Sequence, residues 1–355
     1  KFVNDARKPV IVAGGCVTYS GAQSQLVELA ETLSIPVATS MNAKGSISET
    51  HALSVGVCGT YSREAANRVV SEADLVIFLG SQTGSQVTHF WQVPSLNTKV
   101  IHVDLDPSEL GRNYSSVLNI QADIRATLSR ILTLAEPMTR QDWTQRVSEI
   151  TSNWRSETEH LSSSSQQPIL PERLCSAINN VLPSDSALVV DTGHAGIWTA
   201  SMMELQGPSQ AYLRAAGSLG WGFPASLGAK CGAPEKPVVC FTGDGGFWYH
   251  ISELETAVRY GINTVTVVNN NNALSQNRRG DTVTYDRLGK DPSSLSDFSP
   301  TNFAVIAESM GATGFRIENP SELEDTISKG LEMNKPVVID VLTDVNQSAP
   351  APWVP

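Results

Sequence analysis

Short continuous runs of β-branched and aliphatic residues alternate along this chain with stretches whose apolar positions recur at helical spacing. The first run, Pro9 to Ala13, ends at Gly14-Gly15; a helical pattern over 25–33 and a second run over 35–39 follow. Further runs lie at 74–80 and 99–104. Strands that are apolar throughout, rather than at every second position, are what a parallel sheet covered on both faces requires. Residues 135–170 turn polar and end in the run Ser162 to Pro168, which predicts a helix and then a linker. The alternation then resumes. Strands are predicted at 187–190, 237–242, 264–268, 313–317 and 336–342, with helices at 171–181, 247–260, 303–310 and 321–331. The whole reads as an α/β chain of two doubly wound, mainly parallel-sheet domains. A Rossmann-like first domain spans 1–136, a linker 137–170, a second domain 171–345 and a tail 346–355.

Composition narrows the function classes. At 41% hydrophobic and 17% charged, the chain can build cores, which excludes a largely disordered protein. The net charge of −11 argues against a nucleic-acid binder that works by counterion release. No apolar run reaches the ~18–20 residues of a membrane span. The five cysteines are scattered and contain no C-x-x-C pair, so neither a disulfide scaffold nor a zinc site is expected, and a reducing, cytoplasmic compartment is the default. The chain opens on Lys1 rather than Met and shows no signal or transit segment, so a fragment or a processed product is expected.

Chemistry concentrates in the second domain. The strand Val238 to Thr242 stops abruptly at Gly243-Asp244-Gly245-Gly246 and leads into a helix. Glycines there bare backbone N–H groups at a helix start, the local geometry that receives phosphate. Asp244 would repel a phosphate unless a cation lay between them, so the turn suggests a hard divalent ion that takes oxygen ligands; an uncommitted helix cap is the plainer alternative. The next strand, 264–268, runs into four asparagines, Asn269 to Asn272. Neighbouring parallel strands end on one edge, which sets these amides beside Asp244. In the first domain, Gly14-Gly15 does not fit G-x-G-x-x-G and reads better as a tight strand-to-helix turn. That mismatch also weighs against a nicotinamide dehydrogenase.

The order Gly243-Asp244-Gly245, then Glu253 to Ala257, then an Asn pair after a strand resembles the thiamine-diphosphate motif of the acetolactate-synthase-like enzymes. The segments Gly217 to Ala229 and Asp191-Thr192-Gly193-His194 with Trp198 resemble the same family. So do Arg7 to Val10, Pro36 to Lys44 and His102 to Pro107 in the first domain. The resemblance implies thiamine diphosphate and Mg²⁺ in the second domain, with Asp244, Asn271 and the carbonyl of Ala273 as metal ligands. Asn270 is the alternative if the Asn register slips by one. It further implies that Gly193, His194, Gly243, Gly245 and Gly246 line the diphosphate. Leu219 would support the bent cofactor, and the Gly217 carbonyl would accept from its aminopyrimidine. His250, read from the residues alone, faces either solvent or core.

The resemblance also implies what this stretch of sequence does not supply. The family's activating glutamate sits on a pyrimidine-binding domain, expected here in cis or from a second chain, within a homodimer or homotetramer. The implied reaction is decarboxylation or carboligation of a 2-oxo acid, the chain alone being inactive. A CoA-thioester lyase or decarboxylase of the same family and a non-catalytic cofactor-binding or scaffolding subunit are the alternatives. Flavin-containing members carry an Arg-Phe-Asp-Asp-Arg-type stretch where this chain has Ser81 to Thr88, so FAD, ADP or no nucleotide remain open for the central domain. Residues 277–300 read as a polar loop over the site, with Arg278 and Arg279 as candidate partners of a substrate carboxylate.

Overall fold

The computed structural model describes residues 1–215, 217–289 and 293–355, apart from the side chains of 279–282, 286, 293 and 294. The chain divides into two compact units. One comprises Lys1–Thr158, Glu204–Pro208 and Ala351–Pro355; the other comprises Glu159–Met203 and Ser209–Pro350.

The first unit is built on β1 (Pro9–Ala13), β2 (Val37–Thr39), β3 (Ser54–Val57), β4 (Leu75–Leu79), β5 (Lys99–Asp104) and β6 (Ser116–Gln121). They lie all parallel in the order β3-β2-β1-β4-β5-β6, the order of a dinucleotide-binding sheet. Alternation sorts β1 onto two cores. Ile11 and Ala13 pack with Leu26 and Leu29 of one helix and Leu128 of another, while Val10 and Val12 pack with Val69, Val70 and Trp143 on the opposite face. Both faces are therefore dry, which is why the strands read as unbroken apolar runs.

The second unit carries β7 (Ala187–Val190), β8 (Ala211–Arg214), β9 (Val238–Gly243), β10 (Val265–Asn270), β11 (Thr313–Ile317) and β12 (Val337–Leu342). Its order is β11-β12-β10-β9-β7-β8, again all parallel. Phe223, Phe247 and Phe303 form an edge-to-face aromatic chain at 5.1 and 5.5 Å over one face, with Leu227, Leu254 and Val338 around them.

The helix expected ahead of the linker within 135–170 is present and 22 residues long, Gln141–Ser162. Two local expectations are corrected. The helix predicted over 247–260 is two, Asp244–His250 and Glu253–Tyr260, broken at Ile251-Ser252. The predicted polar loop over 277–300 begins with a helix, Ser275–Asp286; its sequence is polar all round, so no apolar periodicity announced it. Among the described residues no helix is long and apolar enough to cross a membrane.

The first unit also buries charge. Lys44 Nζ donates to Glu49 Oε2 at 2.5 Å with both side chains sealed from solvent, and the Leu205 N–H donates to the same oxygen at 3.0 Å. Burial lowers the Lys44 pKa, and the neighbouring carboxylate opposes that shift. Removing the carboxylate strands an ammonium in a low-dielectric interior. Glu49→Ala is thus expected to destabilise the chain by about 3–5 kcal/mol in urea unfolding; a loss below about 1 kcal/mol would show the pair to be incidental.

Candidate functional site

The site forms at the carboxyl edge of the second sheet, where β7 and β9 are neighbours and the chain's succession runs outward in both directions, to β8 on one side and β10 on the other. Such a switch point leaves a crevice between strand ends, the usual ligand position in open α/β sheets. The register of β9 on β10 puts Gly243 opposite Asn269. Asp244 and the asparagine run therefore share one edge.

Asp244 is 3% exposed. Its Oδ1 accepts from the Gly245 N–H at 2.6 Å and its Oδ2 from the Ala273 N–H at 3.0 Å. Burial outweighs these donors and pushes the carboxyl from 3.8 up to about 7. The backbone N–H groups of Gly245, Ala273, Asn272 and Asn271 favour the charged form, yet no cation among the described residues accompanies the carboxylate. The asparagines differ in what occupies them. Asn270 is spent on the fold: its Nδ2 donates to Asp340 Oδ1 at 2.8 Å and to the Thr301 carbonyl at 3.0 Å, while its Oδ1 accepts from the Asn272 N–H at 3.1 Å. Asn269 Oδ1 is buried with no partner, and Asn271 is buried at the strand end beside it. Among these side chains Asn271 suits a cation better than Asn270, whose oxygen is already committed.

Three helices start around this edge. Gly193 precedes His194–Met202, Gly243 precedes Asp244–His250, and Leu274 precedes Ser275–Asp286. His194 Nδ1 lies 3.0 Å from Ser275 Oγ, which draws two of the starts together. Burial lowers the His194 pKa to about 4, so the ring is neutral at pH 7. Convergent helix starts present bare N–H groups and positive dipole ends to one place, a setting for an anion. At Gly246 a Cβ would come within 2.8 Å of Thr242 Oγ1 and 3.0 Å of the Asp191 carboxyl carbon, so a side chain there is crowded, while at Gly245 the Leu274 side chain, 2.5 Å away, would have to move aside.

The turn carrying Gly217 and Leu219 is tied to the end of β7. Asp191 is 1% exposed; its Oδ1 accepts from Gly220 N–H and its Oδ2 from Gly222 N–H, each at 2.9 Å. Thr192 Oγ1 accepts from Gly217 N–H at 3.2 Å. Leu219 is half-buried, and a Cβ at Gly217 would meet nothing within 4 Å. The structure thus brings Gly193, His194, Gly217, Leu219, Gly243 to Gly246, Asn271 and Ala273 to the strand ends and turns of one sheet edge. Arg278 lies 3.5 Å from Asp297, and the side chain of Arg279 falls outside the described residues. Among those residues, no group of three His, Cys, Asp or Glu side chains is poised to hold a metal.

Sequence reasoning assigned no role to Asp191 or Asp340, and it left His250 undecided. Asp340 sits inside the apolar strand Val337–Leu342, fully buried, bonded to Asn270, to Arg316 Nη1 at 2.6 Å and to the Phe303 N–H at 2.9 Å. A carboxylate flanked by valines and isoleucine must have partners, and that signal was available.

The comparisons agree with this architecture. Residues 1–131 match the family described as thiamine pyrophosphate enzyme, central domain, and residues 191–341 match thiamine pyrophosphate enzyme, C-terminal TPP binding domain. A probable acetolactate synthase large subunit of Methanococcus aeolicus is 30% identical over 97% of this chain and 59% of its own length. The acetolactate synthase large subunit of Lactococcus lactis is 30% identical over 99% and 60% respectively. The Escherichia coli isozyme 3 large subunit is 28% identical over 96% and 60%. The chain belongs to the thiamine pyrophosphate enzyme family, and it spans about three-fifths of the length of these relatives.

The two asparagines separate by experiment. Asn270→Ala breaks bonds of the buried Asp340 network and is expected to lower stability by about 1–3 kcal/mol in urea unfolding. Asn271→Ala is expected to leave stability nearly unchanged and to weaken divalent-cation binding instead. The reverse pattern would exchange their roles.

Proposed function

We propose that this chain is the central and diphosphate-holding part of a thiamine-diphosphate- and Mg²⁺-dependent enzyme that decarboxylates a 2-oxo acid and ligates the product to a carbonyl acceptor. The observation that carries this reading is Asp244, a buried carboxylate raised to about 7 at the convergence of three helix starts. A divalent cation meets the demand of that carboxylate, and a diphosphate meets the demand of the helix starts. Each needs the other to be neutralised. The relatives named as acetolactate synthases support the reaction class.

In this reading Asp244, Asn271 and the Ala273 carbonyl hold the metal. The backbones of Gly193, Gly243, Gly245 and Gly246, with His194, line the diphosphate. Leu219 and the Gly217 carbonyl face the cofactor's ring end. The cofactor, when bound, supplies the electron sink that decarboxylation of a 2-oxo acid needs. His194, neutral and paired with Ser275, adds no charge to the diphosphate pocket and serves as a fixed hydrogen-bonding group. Glu253 and Glu255 are occupied on their own helix, by Thr256 and Arg259. The activating glutamate is therefore assigned to a pyrimidine-binding domain, in cis or on a second chain, within a homodimer or homotetramer.

Three measurements bear on this reading. Thiamine diphosphate with Mg²⁺ should raise the melting temperature of the chain, and Asp244→Ala should abolish that rise while leaving the apo fold intact; an unshifted wild type would remove the cofactor assignment. The proton competes with the metal for Asp244. A carboxyl raised from 3.8 to about 7 stays protonated in the folded chain at pH values where the unfolded chain has released the proton. Without metal, stability should therefore fall as pH rises through that window, and Asp244→Asn should flatten the profile. Mg²⁺ affinity should rise over the same window and level off above about pH 7. Finally, CO₂ release from pyruvate or another 2-oxo acid should require the pyrimidine-binding domain, added in cis or as a separate chain. Brisk turnover by the 355-residue chain alone would locate the activating base within it.

A further inference from the structure

The turn from Gly217 to Gly222 is gripped from two sides. From β7, Asp191 accepts the N–H groups of Gly220 and Gly222. From the helix Asp244–His250, the imidazole of His250 reaches the Gly220 carbonyl at 2.9 Å through Nδ1. A carbonyl only accepts, so Nδ1 carries the proton and donates. Both polar groups of Gly220 are thus held, and its φ of +89° lies in the left-handed region. A Cβ there would sit 2.6 Å from Tyr249 Cβ and 2.7 Å from His250 Nδ1, so the last turn of the helix lies flat on the glycine.

We propose that His250, acting with Asp191, is a positioning residue that sets the Leu219 turn for the ring end of the cofactor; this rests on the cofactor reading given above. The helix Asp244–His250 is the argument. Its first residue is the buried carboxylate assigned to the metal, and its last residue holds the turn that carries Gly217 and Leu219. Six residues of helix rise span about 9 Å. One rigid element therefore fixes the distance between the metal–diphosphate end of the site and the ring end. Asp191 closes the frame, since its carboxyl carbon would be 3.0 Å from a Cβ at Gly246 while its oxygens hold Gly220 and Gly222. The glycines allow this close stacking, and the two side chains lock it. His250 itself is exposed, so it can be replaced without opening the core.

The test uses the full chain with Mg²⁺ and two calorimetric probes. Inorganic diphosphate engages only the helix starts, whereas thiamine diphosphate also meets the Leu219 turn. His250→Ala is expected to leave diphosphate affinity within about two-fold and to weaken thiamine diphosphate about three- to ten-fold, the range of one lost hydrogen bond. His250→Gln retains a donor and should restore most of that loss. Amide hydrogen exchange at 217–222 should quicken in His250→Ala, with β9 unchanged. Unaltered exchange at this turn, or equal weakening of both probes, would overturn the proposal while leaving the cofactor reading in place. A wild-type chain that binds neither probe would overturn the reading and the proposal with it.

Discussion

Everything at the candidate site depends on the pairing of β9 with β10. A parallel sheet delivers all its strand ends to one edge, and the helices that follow begin there with their N–H groups exposed. Register decides which side chains arrive. With Gly243 opposite Asn269, the carboxylate of Asp244 follows one strand end while the amides follow the next. The side-chain period along a strand is two, so Asn270 points away from its neighbours and into the network of Asp340 and Thr301. A slip of one residue would send Asn269 into that network and take Asn270 out of it, undoing both the fold contact and the candidate ligand set. The Asp340 network, with Arg316 and the Phe303 N–H, holds the register from the far side of the strand.

The central strands of both sheets were legible because burial on two faces forces unbroken apolar runs. The three strands left unpredicted, β3, β6 and β8, all lie at sheet edges. Strand β6 is exposed or half-exposed at every position, and β8 is nowhere buried, so neither shows a continuous apolar run. Strand β3 is four residues long and contains Gly56 at φ +89°. In the site, Asp244 and the asparagines stood out because polar residues at the abrupt end of an apolar strand need a reason to be there. Asp191 and His250 did not. Their partners lie about thirty residues away in the chain, and only folding brings them into range.

Of the seven buried carboxylates among the described residues, Glu49, Asp191, Asp244 and Asp340 form an instructive set of four. Glu49 has the Lys44 ammonium at 2.5 Å, and Asp340 has the Arg316 guanidinium at 2.6 Å. Asp191 has no cation among the described residues but accepts three backbone N–H bonds, from Thr192, Gly220 and Gly222. Each is compensated by the chain itself, as a buried charge must be. Among these four, Asp244 is the exception: burial outweighs its backbone donors and carries its pKa to about 7. A protein that only needed a stable turn there would do better with asparagine or serine, which cap a helix start without carrying a charge. Retaining an ionisable group in that place makes sense when a cation completes it, and the adjoining helix starts give that cation an anionic partner. Charge balance, more than any one motif, marks this site: Glu49, Asp191 and Asp340 are closed internally, and Asp244 at the helix starts is not.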